Sequence, residues 1–337
     1  MDRTAEEDMK LVGFFGIFTH SFKTIFSSKK ILSQITLTFI LPLTIIFVAH
    51  MQISHHFFSN IEDRYLPYDS SDRNTSSLSG WLYYWLFKIL YFTFLTLFSL
   101  LSTAAVVFTV ASAYADRDVI FRQVLKTVPN VWKKLCVTFI FIYFALFIYN
   151  VLNGVVLAIV RSIFGNSIFS LILLFIILIL YVLGLLYLTV IWQLASVVTV
   201  LENVYGFKAL KKGKDLINGK KAVGMGIVFV LYGILLGFVI SYALFVEFGG
   251  EIGLLMIWRV MIGILLGILV TMLFLLIIVA QTVLYLVCKS HHREAIDKVS
   301  LSTFLSVYTA ETVVFPKPGE EIQLGRTQPP PPPVQQV

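Results

Sequence analysis

Chemistry inside a bilayer needs polar side chains that converge, so the few polar groups set in apolar stretches are weighed first. Asn150 and Asn153, Gln193 and Gln281 stand within or beside long apolar runs. Each amide both donates and accepts. Their ordinary role is hydrogen bonding between helices, worth roughly 0.6 kcal/mol on average. Their sharper role is to line a solute path. Glu202 ends one apolar run at its inner side, while His50, Lys88, Arg161 and Arg259 lie near outer ends. No acid or base falls at the middle of a run, so a relay of charges has no residues to build on.

The histidines form two doublets, His55-His56 and His291-His292. Neighbouring helical residues point about 100° apart and do not make a metal pair by themselves. Glu294 or Asp297 beside His291-His292 would be the third ligand such a site needs. The sequence holds no His-Glu-x-x-His, no cysteine pair at zinc spacing and no glycine-rich phosphate loop. Glu202 with His291-His292 is the one cluster from which a lipid-modifying enzyme could be assembled. No catalytic, cofactor or metal residue is assigned on this reading, and an enzyme is not expected. Cys136 and Cys288 fall at a membrane edge, where acylation occurs, but plain small apolar residues suit both positions.

The elements that would position these residues come from composition. Of 337 residues 58% are apolar and 13% charged, with 30 Phe and 15 Tyr. A soluble domain is near half apolar and a quarter charged, which excludes a soluble globular enzyme and a disordered chain. About 20 apolar residues cross the ~30 Å hydrocarbon core. Six runs qualify: Ile31–Ile53, Ile89–Ala113, Leu135–Val160, Ile168–Val190, Val223–Val246 and Val260–Val287. The fourth stays apolar to Leu201, and Arg259 interrupts the start of the sixth. Pro42 predicts a kink in the first. The fold class is therefore all-α: a polytopic membrane protein of six transmembrane helices with amphipathic interfacial helices. It divides into an amphipathic segment (1–30), the six-span domain (31–287) and a tail with a Pro-rich end (288–337). The acidic start, Met1 to Lys10, matches neither a signal peptide nor a transit peptide, so the first span reads as a retained anchor.

The net charge of +7 first suggests nucleic acid. Its placement suggests otherwise. Of the 26 Lys and Arg, 21 fall in the N-terminal segment, the loops after spans two and four, and the tail. Four fall on the other side, and Lys88 sits at a span end. The positive-inside rule puts both termini in the cytosol, with the protein in an endomembrane or the plasma membrane. Asn74-Thr75-Ser76 on the opposite side is an N-glycosylation sequon, and its seven-residue distance from Trp81 brings it close to the bilayer.

Three segments of the basic side share a design. Apolar residues recur at helical spacing, and a lysine pair precedes the next span: Lys29-Lys30, Lys133-Lys134 and Lys220-Lys221. The third adds Lys208, Lys211, Lys212 and Lys214 around Phe207, Leu210, Leu216 and Ile217. Such helices lie at the acyl boundary or against the bundle, and each lysine near an anionic leaflet contributes ~1 kcal/mol. Membrane lipids are thus the expected partners, with these lysines as headgroup contacts and no nucleic acid. Topology-setting connectors are the plainer alternative. Spans five and six each carry Gly-Ile-Leu-Leu-Gly, at Gly233–Gly237 and Gly263–Gly267. Small residues four apart let backbones approach, so these faces should pack on each other, on neighbouring spans, or on a second copy in a homo-oligomer. Pro329–Pro333 favours an extended polyproline stretch, which suits either a disordered end or a cytosolic partner with an aromatic groove.

Two resemblances are carried by particular residues. Glu202, Gly206, Ala209-Leu210, Leu216 and Gly219-Lys220 resemble a loop signature of the bacterial membrane domain that accompanies glycerophosphodiester phosphodiesterases. That resemblance covers about one loop and its flanking spans, and implies a non-catalytic membrane module. Cys288–Lys298, and Val-Pro-x-Val-Trp-Lys-Lys at Val128–Lys134, are similar to a plant family of six-span membrane proteins without established function. Some members of it carry a label about a partner of the poly(A)-binding protein. This resemblance spans most of the chain and implies a membrane location rather than a reaction. The residues alone support a non-enzymatic scaffold or lipid-interacting module, with a small-solute transporter or channel as the alternative.

Overall fold

The computed structural model describes residues 13–65, 75–115, 120–165, 167–202 and 204–292, with the side chains of 55–84 and 130 left out. Asn74, the His55 and His56 side chains, the first twelve residues and the Pro-rich tail fall outside that description. Among the described residues every regular element is helical. Six helices are long and apolar enough to cross a membrane: Lys29–Ser54, Trp85–Tyr114, Val131–Phe164, Ile168–Leu201, Lys221–Gly250 and Met256–His291. These are spans one to six below. Two shorter helices accompany them, a leading helix Phe14–Ser27 and a connecting helix Phe207–Leu216.

Local chemistry explains several boundaries. In span one the chain widens into a π turn at Thr36–Ile40, immediately before Pro42. Proline lacks the N–H that would bond back one turn, and a π turn is one way to absorb its ring. Span six begins at Met256 and runs through Arg259 without a break. The charge is tolerated because the guanidinium turns back on the end of span five. Nε and Nη2 of Arg259 donate to the Val246 carbonyl at 2.9 and 2.7 Å, where that helix opens into its own π turn. The second basic segment forms no separate helix. It is continuous with span three in one helix, Phe121–Phe164, that carries Pro129 in its interior. Val124, Val128, Val131 and Leu135 are all buried on one face of it, so packing holds the helix through the proline.

Burial is uneven, and the unevenness shows where the medium must be apolar. In span two 61% of the most apolar window is buried, but in span four only 6%. The first half of span four presents Ile168, Leu171, Phe175 and Leu180 outward. An apolar surface of that extent is incompatible with water and fits hydrocarbon. The second half of the same helix is enclosed: Val190, Leu194, Ala195, Val197 and Val198 are fully buried. They join one core with Ala105–Val107 of span two and Val279, Ala280, Leu284 and Val287 of span six. Thr138 of span three shares a 2.9 Å hydrogen bond with Thr199 and accepts one from the Gly206 N–H, tying the turn after span four to its neighbour. Gly206 has φ +67°, a left-handed conformation that glycine adopts without strain.

Candidate functional site: a polar-lined cavity reached by all six spans

The core of the bundle is not filled. A cavity of about 310 Å³ lies between the six spans. Each span contributes to its wall, so no single helix defines it. Span two supplies Thr96, Ser99 and Thr103. These positions are three and four apart and therefore lie on one helical face. Span three supplies Tyr143, span four Gln193 and Ser196, span five Tyr232 and span six Gln281. The remaining wall is apolar or aromatic, with Phe47, Trp192 and Phe274 among it. Among the described residues no Asp, Glu, Lys, Arg or His lines it.

The hydrogen bonds within this wall leave capacity unused. Thr96 and Tyr143 share one at 3.3 Å. Gln193 donates from Nε2 to the Tyr232 hydroxyl at 3.4 Å, a long and weak contact. The Ser196 hydroxyl is turned onto the Gln193 main-chain carbonyl at 2.7 Å. Gln281 is 7% exposed, and its amide makes no hydrogen bond to another described residue. Gln193 is 5% exposed, and its Oε1 is likewise unclaimed. A buried amide short of partners costs about 1–3 kcal/mol, so the Gln193 Oε1 and the Gln281 amide, facing one space, favour a guest there that can hydrogen-bond, water or a small molecule. The cavity has the volume and the mixed apolar and polar wall of a small-molecule site.

Of the four amides singled out in the sequence, the cavity gathers Gln193 and Gln281. Asn150 lies elsewhere, on an exposed face, where it donates to the Leu146 carbonyl and accepts from the Tyr181 hydroxyl, each at 2.8 Å. Asn153 does not line the cavity. The hydroxyls of Thr96, Ser99, Thr103, Tyr143 and Tyr232 carried no expectation. Their one legible signal is the three- and four-residue spacing of Thr96, Ser99 and Thr103 within an apolar span.

Glu202 has a different part. It caps span four at the basic end of the bundle. Its Oε1 accepts from the Tyr285 hydroxyl at 2.5 Å and from Lys289 Nζ at 2.7 Å, and its Oε2 pairs with Lys212 Nζ at 2.5 Å. Burial on its own would raise the carboxyl pKa. The hydrogen bonds from Lys212, Lys289 and Tyr285 outweigh it and hold the group below its ordinary value. A carboxylate so fixed is a clamp between span four, the connecting helix and span six, and a poor general acid. The histidines have other partners: His292 Nε2 lies 3.0 Å from the Leu216 carbonyl, and His291 packs under Gly219. Among the described residues no three His, Cys, Asp or Glu side chains come together as a metal set would need.

The basic residues expected at headgroups divide by exposure. Lys29, Lys30, Lys133, Lys208, Lys211 and Lys221 are exposed, whereas Lys134, Lys212 and Lys220 are half-buried. Cys288 is fully buried and Cys136 partly so. The two Gly-Ile-Leu-Leu-Gly runs do not seat spans five and six on each other as a pair of facing grooves. Gly233, Gly237 and Gly267 meet nothing within 4 Å, and Gly263 alone has a neighbour, the Val246 side chain at 3.7 Å. Gly263 thus packs against the end of span five, while the close approach that Gly233, Gly237 and Gly267 permit goes unused within one chain.

A family model described as a domain of unknown function, DUF8558, matches residues 1–327. No curated protein matches the chain, and no solved structure does.

Proposed function

The chain belongs to this DUF8558 family, and we propose that it is a non-enzymatic membrane carrier whose six spans hold a small uncharged molecule in their central cavity. One observation carries the reading. Two buried glutamines, Gln193 and Gln281, face a common space with hydrogen-bonding capacity that no described residue takes up. The ligand class follows from the wall. Amides and hydroxyls both donate and accept, so the molecule has groups of both kinds. The wall is free of charge, so a charged solute would enter without compensation, which is costly in a low-dielectric site. The aromatic members, Phe47, Trp192 and Phe274, suit an apolar or ring-bearing body. In this reading both termini lie in the cytosol, the orientation that the lysine distribution favours.

The experiment is cysteine labelling in membranes. Gln281→Cys, in a chain whose Cys136 and Cys288 are replaced by Ala, reacts with a small neutral maleimide added to sealed vesicles. Reaction is expected within minutes and is slowed when Gln193→Trp is added, which fills the same space. A thiol at position 281 that stays unreactive in the folded protein contradicts the reading.

A lipid-interacting module is the second reading, and one observation favours it. The connecting helix buries Ala209, Gly213 and Leu216 and leaves Lys208, Lys211 and Lys214 exposed. Such a face binds anionic membrane surfaces and weakens with salt. The two readings concern different surfaces and are separable by mutation.

A further inference from the structure

Spans four and five leave a groove between them on the outer wall of the bundle. It measures about 430 Å³ and is lined by Leu178, Ile179, Val182, Leu183 and Leu186 on one side, and by Met225, Gly226 and Phe229 on the other. Every one of these is apolar. Most of span four's contribution faces outward, with Leu178, Ile179, Val182 and Leu183 all exposed. From Leu178 to Leu186 is eight residues, or ~12 Å of helix. Part of an acyl chain is what a bilayer offers to such a slot.

One end of the groove is charged. Lys221, Met225 and Phe229 are spaced four apart and form one stripe of span five. Leu183 and Tyr187 form the facing stripe of span four. At the end of both stripes the exposed Lys221 ammonium stands 5.9 Å over the Tyr187 ring. An apolar slot closed by a cation on an aromatic face matches one occupant best: a phospholipid with its chain in the slot and its phosphate at the lysine.

We propose that the groove between spans four and five is a specific site for an anionic phospholipid, with Lys221 taking the headgroup and Leu183, Met225 and Phe229 the chain. The site lies apart from the central cavity and does not depend on what the cavity holds. Net negative headgroups are preferred because Lys221 then gains a charge it does not share with a headgroup amine.

The test uses the full-length protein in detergent, incubated with phosphatidylglycerol or with phosphatidylcholine of the same chains, and counts retained lipid by native mass spectrometry. Phosphatidylglycerol should be retained over phosphatidylcholine by roughly fivefold, the factor one lysine near an anionic headgroup contributes. Lys221→Gln should remove that preference. Val182→Trp, which fills the slot from an exposed position, should reduce retention of both lipids. Arg161→Gln, in the last turn of span three, should change neither. A phosphatidylglycerol preference that survives Lys221→Gln overturns the proposal, as does full retention of both lipids by Val182→Trp.

Discussion

Gly213→Val is expected to detach the connecting helix from span four. A Cβ at this position would stand 2.8 Å from the Ile191 carbonyl oxygen and 3.1 Å from the Ala195 nitrogen. Both are backbone atoms inside a continuous helix, so neither can swing aside as a side chain would. The connecting helix must lift, and it then withdraws Ala209, Leu216 and Ile217 from the core, all of them buried now. Overpacking and lost burial together put the loss at about 3 kcal/mol or more. Thermal melting of the solubilised protein measures it. Gly233→Val is the matched control, since nothing lies within 4 Å of that position. Its effect should stay within about 0.5 kcal/mol, as for other open surface sites. Equal losses for the two variants would show that the connecting helix is not seated on span four as described.

Glu202→Gln is expected to have the second large effect. The substitution keeps the shape and removes the charge that Lys212 and Lys289 share. Side chains of these lysines are 34% and 21% exposed, so water recovers part of what they lose. A destabilisation of about 2–4 kcal/mol is expected, less than for a fully buried pair. The pH dependence has a definite sign. The folded pKa of Glu202 lies below its ordinary value of 4.5. Its contribution is therefore complete above that value and is lost as pH falls through the lowered one. Melting temperature should drop on acidification below about pH 4.5 in the parent and should lose that component of the slope in Glu202→Gln. An unchanged slope would mean that another carboxylate carries the acid sensitivity.

How much of this could be read from the sequence follows from range. The six spans were legible because lipid forces every backbone polar group to be satisfied within its own helix, and apolar runs of that length have few other uses. Glu202 was visible as an acid at the end of span four. Its partners were not, because Lys289 lies 87 positions away and nothing local couples the two. Gln193 and Gln281 stood out as polar residues in apolar runs, yet so did Asn150, which the fold turns to an exposed face against Tyr181. Which amides converge is decided by helix rotation and tilt, and packing sets those. The glycine pairs show the same limit. Their spacing states that a backbone could come close, and says nothing of whether the neighbour that approaches is in the same chain.

The family relationship extends over nearly the whole chain and supplies no reaction, so the cavity carries the proposed function. The most direct measurement is an experimental density map of the full-length protein in lipid nanodiscs. Non-protein density is expected between spans two, four and six, within hydrogen-bonding distance of the Gln193 and Gln281 amides. A collapsed core, with those two amides bonded to protein groups and no density between them, would contradict it.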